Sequence, residues 1–146
     1  MRKIPFKKTL HGKIAVTIHA LGPFEVSLNP MDAYNKVAAL GRMSIDKQFH
    51  GGLEATSKGE MLTAMTPVEG SAGYVAIEQV SGTLHGRRGT FVLQHNGIMN
   101  RGALQLKINV VPDSGTDELK GIMGMMMMIK IDDEKHSYDF EYSLNP

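Results

Sequence analysis

Along residues 104 to 110, Leu104, Leu106, Ile108 and Val110 take alternate positions, with Gln105, Lys107 and Asn109 between them. Successive side chains of a strand point to opposite faces, so this period of two predicts a strand buried on one face and wet on the other. The pattern returns near the end of the chain, where Tyr138, Phe140, Tyr142 and Leu144 alternate with Ser137, Asp139 and Glu141. Further β-rich segments lie at 41–50, 53–65, 73–84, 90–95 and 120–131, and the stretches 13–20 and 24–30 supply one or two more. Only MDAYNKVAAL (31–40) has helical spacing, with Tyr34, Val37 and Ala38 on one side, which predicts a short helix or a covering loop.

The connectors HGG (50–52), PVEGSAG (67–73), HGRRG (85–89), NGIMNRG (96–102), PDSGTDE (112–118) and DDEK (132–135) hold the residues that fix turn geometry. Strands joined by turns this short run antiparallel, because a parallel return needs a dozen residues or more. A meander of about eight strands leaves two raw edges unless it closes on itself. The expected fold is therefore all-β: a single antiparallel, lipocalin-like β-barrel of about eight strands over 22–146, with residues 1–21 as a basic N-terminal extension that forms a partly ordered strand or an arm. An eight-stranded barrel is either filled by side chains or just wide enough for one small ligand.

SGTLHGRRGTFVLQH (81–95) then reads as a strand end, a tight turn and a new strand, with Gly86 and Gly89 at positions that favour positive φ and Arg87 and Arg88 directed to solvent. Together, GRMSIDKQFHGGLEATSKGEML and GYVAIEQVSGTLHGRRGTFVLQHNG resemble an uncharacterised bacterial family, a domain of unknown function whose members look like small allene oxide cyclase-type barrels; the resemblance covers about residues 22 to 144. The hairpin VSGTLHGRRGTFVL is similar to the Gly-rich hairpin of plant allene oxide cyclases and dirigent proteins. The resemblance implies an eight-stranded antiparallel barrel and no particular chemistry.

Composition narrows the function classes. The chain has no cysteine, which removes thiol nucleophiles, disulfides and Cys-based zinc sites. Five of the 16 basic residues (Arg2, Lys3, Lys7, Lys8, Lys13) precede the first acid, Glu25; the rest of the chain sets eleven bases against 15 acids, about −4. That body offers no basic footprint for nucleic acid, and no apolar run approaches the ~20 residues of a membrane span. The basic, apolar start is broken by Lys8, His11, Lys13 and His19 and lacks a signal-peptide cleavage site, so a cytoplasmic protein is expected.

The six histidines form no H-x-H, H-x-x-H or H-E-x-x-H spacing, and DDEK has too few ligands for a calcium loop, so neither metal nor cofactor is expected. The run MGMMMM (123–128) contains soft thioether donors suited to Cu(I). As a strand, however, it sends neighbours to opposite faces and reads as flexible packing. Both faces of 122–129 are apolar, which predicts a cover on the outside: the 31–40 segment, the N-terminal extension or a second subunit. A homodimer is the expected assembly.

Seven residues stand out as candidates for binding. His50 and His95 lie at strand ends, and His95 shares a face with Phe91 and Leu93, pointing inward near one mouth as a proton shuttle or a satisfied structural histidine. Glu78 shares a face with Tyr74 and Ala76: if that face is internal, burial equips the carboxyl for acid–base work, and if Val75, Ile77 and Gln79 face in instead, Glu78 is merely solvated. The solvated alternative is slightly favoured. Lys47, between Ile45 and Phe49, is an inward cation for an acidic ligand or a side chain snorkelling at a rim. Tyr138 and Tyr142 are expected inside, with hydroxyls that need partners. These features favour a barrel that binds an apolar or amphipathic small molecule in its interior; the alternatives are a cofactor-free isomerase or cyclase and a filled structural barrel.

Overall fold

The computed structural model describes residues 17–130 and 135–144. Eight strands follow one another in an antiparallel meander: β1 (Ile18–Pro30), β2 (Leu40–Phe49), β3 (Leu53–Met65), β4 (Ala72–Leu84), β5 (Arg87–Asn100), β6 (Ala103–Val110), β7 (Ile122–Lys130) and β8 (His136–Leu144). β8 pairs with β1, with Phe140 opposite Ala20, so the sheet closes and no edge is left. A 3-10 turn, Asp117–Leu119, interrupts the β6–β7 connection and buries Leu119. β1 starts at Ile18, within the N-terminal extension; residues up to 16 lie outside the described residues.

The alternation that predicts the strands also sorts the faces. Phe91 and Leu93 on β5, Ile108 and Val110 on β6, and Tyr138, Phe140 and Tyr142 on β8 all turn inward and are buried. They meet Phe24, Phe49, Leu53, Val80 and Leu84 in one core, each large apolar side chain contributing about 1.5–3 kcal/mol by leaving water. Phe91 and Phe140 stack at 5.4 Å, and Phe49 meets Tyr138 edge-on at 5.5 Å.

Two hairpins are tighter than the sequence suggests. The β4–β5 turn consists of His85 and Gly86 alone, with φ 47° and 83°, and the β5–β6 turn of Arg101 and Gly102, with φ 48° and 93°. Both are primed two-residue turns, whose twist matches that of the flanking strands. Gly89 was expected to supply a positive φ here; it lies within β5, and its lack of a side chain instead admits Thr116, whose carbonyl oxygen would sit 2.2 Å from an added Cβ. Arg87 and Arg88 belong to β5 and are exposed.

The 31–40 segment takes the loop form of the two its pattern allows: it bends and turns up to Leu40, with Tyr34 98% exposed and Val37 exposed too. Its apolar spacing is short and interrupted by Asn35, whose side-chain oxygen accepts from the Val37 N–H in a local turn. On the outer wall Met123, Met125 and Met127 are exposed, while Met126 points into the core.

Candidate functional site

Within this apolar barrel, five polar side chains from four strands form one connected chain: Lys47 (β2), Ser57 (β3), Tyr74 and Glu78 (β4) and His95 (β5). Strand register brings them together. Lys47 stands opposite Ser57, Gly59 opposite Glu78, Ala76 opposite His95 and Tyr74 opposite Gly97. Ser57 and Glu78, Glu78 and His95, and His95 and Tyr74 are therefore diagonal neighbours on the inner face, within reach of long side chains.

Glu78 is the hub. Its Oε2 accepts from Lys47 Nζ at 2.7 Å and from His95 Nε2 at 2.5 Å, and its Oε1 accepts from the Ser57 hydroxyl at 2.5 Å. The solvated alternative for Glu78 is overturned, because its side chain is fully buried while Val75 and Ile77 face solvent. Lys47 is likewise buried rather than at a rim, with Nζ 5.6 Å and 5.7 Å from the ring centroids of Phe24 and Phe49. Among the described residues, every buried side-chain nitrogen and oxygen has a partner.

Burial alone would raise the Glu78 carboxyl, but the His95 hydrogen bond, the Lys47 charge and the remaining contacts outweigh it and hold the group at about 2. Burial pushes Lys47 down, opposed by Glu78. Three converging donors require an anion at Glu78, so the ionic form of the pair is the one the geometry holds. With His95 Nε2–H donating to Glu78, its Nδ1 accepts from the Tyr74 hydroxyl at 3.2 Å. Burial, with the Glu78 charge adding, pushes the Tyr74 phenol up to about 12, which makes it a hydrogen-bond donor at neutral pH.

Tyr74 is where this chain meets solvent. Beside the β3–β4 and β5–β6 turns, a cup of about 190 Å³ opens, lined by inward-facing positions that include Met61, Thr63, Met65, Tyr74, Met99 and Leu104. Its exposed surface is apolar, the Tyr74 hydroxyl being turned in to His95. The Tyr74 ring lies across Gly97, where an added Cβ would come within 2.3 Å of ring carbon Cε1, so the bare backbone there seats the ring. A larger hollow of about 640 Å³ lies on the outer wall, against Glu60, Leu62, Val75, Ile77 and Gln94. Its walls point away from the buried chain, and it stands open to solvent.

The other sequence candidates lie elsewhere. The Tyr138 hydroxyl donates to the His50 carbonyl at 2.6 Å and accepts from the Leu53 N–H at 2.9 Å, holding the β2–β3 turn. Tyr142 meets His85 Nδ1 at 2.6 Å beside the β4–β5 turn. The His50 side chain is 40% exposed and paired with Glu25 at 2.9 Å, a contact that raises the imidazole above its ordinary value. Lys47, Tyr74, Glu78 and His95 thus form one site, and His50, Tyr138 and Tyr142 do not join it. Ser57 and the methionines of the cup escaped the sequence reading; the signal for Ser57 was its place opposite Lys47 across the Gly51–Gly52 turn. Glu78 and His95 are two metal-ligand types side by side, but among the described residues no third His, Asp or Glu converges on them.

A family described as "protein of unknown function (DUF3224)" matches residues 20–142. A crystal structure of a protein with unknown function from the same family in Shewanella oneidensis MR-1 is 51% identical in sequence, with a TM-score of 0.84 over 90% of this chain and 99% of that one. No curated protein matches the sequence.

Proposed function

The chain belongs to the DUF3224 family of proteins of unknown function, and from that premise we propose that it is a small β-barrel that binds an apolar or amphipathic small molecule at the mouth floored by Tyr74. One observation carries this: an apolar cup of about 190 Å³ bordered by Tyr74, whose hydroxyl turns away from it to a fully buried polar chain. The strands beneath are packed with Phe49, Leu53, Phe91 and Phe140, so the ligand belongs at the mouth rather than deep inside. Drug-sized ligands occupy about 300–1,000 Å³. A smaller, largely apolar molecule suits this volume and lining.

The ordering Tyr74–His95–Glu78 also favours a second reading, a cofactor-free isomerase or cyclase. An acid–base group, a histidine behind it and a carboxylate that orients the histidine are the parts proton-transfer catalysis needs. It ranks second because Tyr74 is the one member of the chain that borders the cup, and a proton shift between two atoms of a substrate calls for a second group.

Native mass spectrometry of protein purified from its own host, compared with the same sample denatured, tests binding. An additional mass below about 300 Da, lost on denaturation and absent from an Ala72→Leu variant that fills the cup, supports the proposal. Bare polypeptide throughout overturns it in favour of a filled barrel that works through its surface. Turnover of the released compound that is lost in His95→Gln while its binding persists would promote the enzyme reading.

A further inference from the structure

The outer wall of β7 and β8 carries an apolar row that no described element covers. Met123, Met125 and Met127 point outward from alternate positions of β7 and are 51%, 47% and 62% exposed, while Met126 between them packs into the core. A strand wet on its outer face ordinarily carries polar residues there. Register sets the row against β8: Met123 stands opposite Ser143, Met125 opposite Glu141 and Met127 opposite Asp139, so two acids flank the thioethers. β1 continues the same wall, with His19 opposite Glu141 and Leu21 opposite Asp139.

The start of β1 lies against this row. Thr17 borders a shallow hollow of about 250 Å³ together with Met123, Met125, Glu141 and Ser143. Residues 1–16 therefore join the described chain at the rim of that hollow. They carry Arg2, Lys3, Lys7, Lys8 and Lys13 without one acid, and interleave them with Ile4, Phe6, Leu10, Ile14 and Val16. A chain of that length reaches up to about 50 Å when extended, and the row from Met123 to Met127 spans about 13 Å.

We propose that the outer wall of β7 and β8 is the docking surface for residues 1–16 of the same chain, whose apolar side chains cover the methionine row while their lysines meet Glu141 and Asp139. Thioethers on unbranched side chains mould to irregular apolar partners, and the opposite charges steer the segment onto this wall and fix its position there. The exposed apolar residues Leu62, Val75 and Ile77 on β3 and β4 make a weaker surface for it. β2 separates them from β1, and Thr17 has no place on the rim of their hollow.

The chain has no cysteine, so one introduced thiol places a spin label at a single point. The test uses the full chain with Thr9→Cys carrying a nitroxide and with 13C-labelled methionine methyl groups. The Met123, Met125 and Met127 signals should be broadened and should recover when the nitroxide is reduced, and those of Met61, Met65 and Met99 at the cup should keep their intensity. Glu141→Lys, at an exposed position, should return most of the lost intensity, whereas Leu62→Lys on the other wall should return none. A mixture of spin-labelled chains lacking 13C with 13C-labelled chains lacking the nitroxide separates the occupants, and it should show no broadening. Broadening of the three signals in that mixture assigns the wall to a second copy and overturns the inference. Full intensity of the three signals in both samples overturns it too and leaves the wall to a different partner.

Discussion

The Glu78 carboxylate and the Lys47 ammonium meet at 2.7 Å inside the barrel, with side chains 0% and 4% exposed. Removing one member strands a buried charge, which costs about 3–5 kcal/mol, whereas replacing both with apolar groups of similar volume is far milder. Lys47→Met and Glu78→Leu should each destabilise the chain by that amount in urea denaturation, and the double variant by clearly less than the sum. Single variants that lose under about 1 kcal/mol would show that water reaches the pair.

Acid should expose the same site. The folded Glu78 carboxyl sits at about 2 against an ordinary 4.5. A depressed acid contributes stability that is fully present above the unfolded value and is lost as pH falls through the folded one. The gap is worth about 3 kcal/mol, at 1.36 kcal/mol for each tenfold change. Chemical denaturation between pH 6 and pH 2 should show stability falling from about pH 4.5 downward, and the Lys47→Met/Glu78→Leu double variant should lose much of that slope. An unchanged slope would mean that other carboxylates carry the acid sensitivity.

Tyr138 separates structural from binding roles. Its hydroxyl satisfies the buried Leu53 N–H and donates to the His50 carbonyl, so Tyr138→Phe leaves a backbone donor without a partner. The expected cost is about 1–3 kcal/mol, measured by urea denaturation. Binding of an apolar ligand at the distant cup should be unchanged. Weakened binding with unchanged stability would return Tyr138 to the list of ligand-contacting residues.

The barrel itself was legible because alternation is a property of single strands. Leu104 to Val110 and Tyr138 to Leu144 each sort their own faces, and Gly-rich connectors fix antiparallel order. The site was less legible because it is a property of register between strands. YVAIEQV (74–80) offers apolar residues on both faces, so local pattern cannot decide where Glu78 points. The deciding information lies eight residues on: a two-residue turn at His85 and Gly86 places Ala76 opposite His95 and Tyr74 opposite Gly97. Had the turn been centred there rather than spread over 85–89, the Tyr74–His95–Glu78 chain would have followed. The 31–40 segment is a loop rather than a helix for the opposite reason, since three apolar positions within 34–38 are too few to hold a helix.

Gly97 is the position at which the site can be broken without touching its chemistry. The Tyr74 ring rests directly on it, and a methyl group there would overlap Cε1 and Cδ1 at 2.3 Å and 2.7 Å. A tyrosine at a barrel mouth relieves such a clash by swinging outward, because its ring is the half-buried end of a side chain and the cup beside it is open. Gly97→Ala should therefore cost little stability while breaking the Tyr74–His95 hydrogen bond and filling part of the cup. In 15N spectra the His95 Nδ1 signal should shift to that of a ring nitrogen without its phenol partner, and the cup's affinity for an apolar ligand should fall. A variant that keeps the wild-type Nδ1 signal would place the strain in the β4–β5 backbone instead, and its loss of stability in urea would then be of the order of 1–3 kcal/mol, as for other overpacked sites.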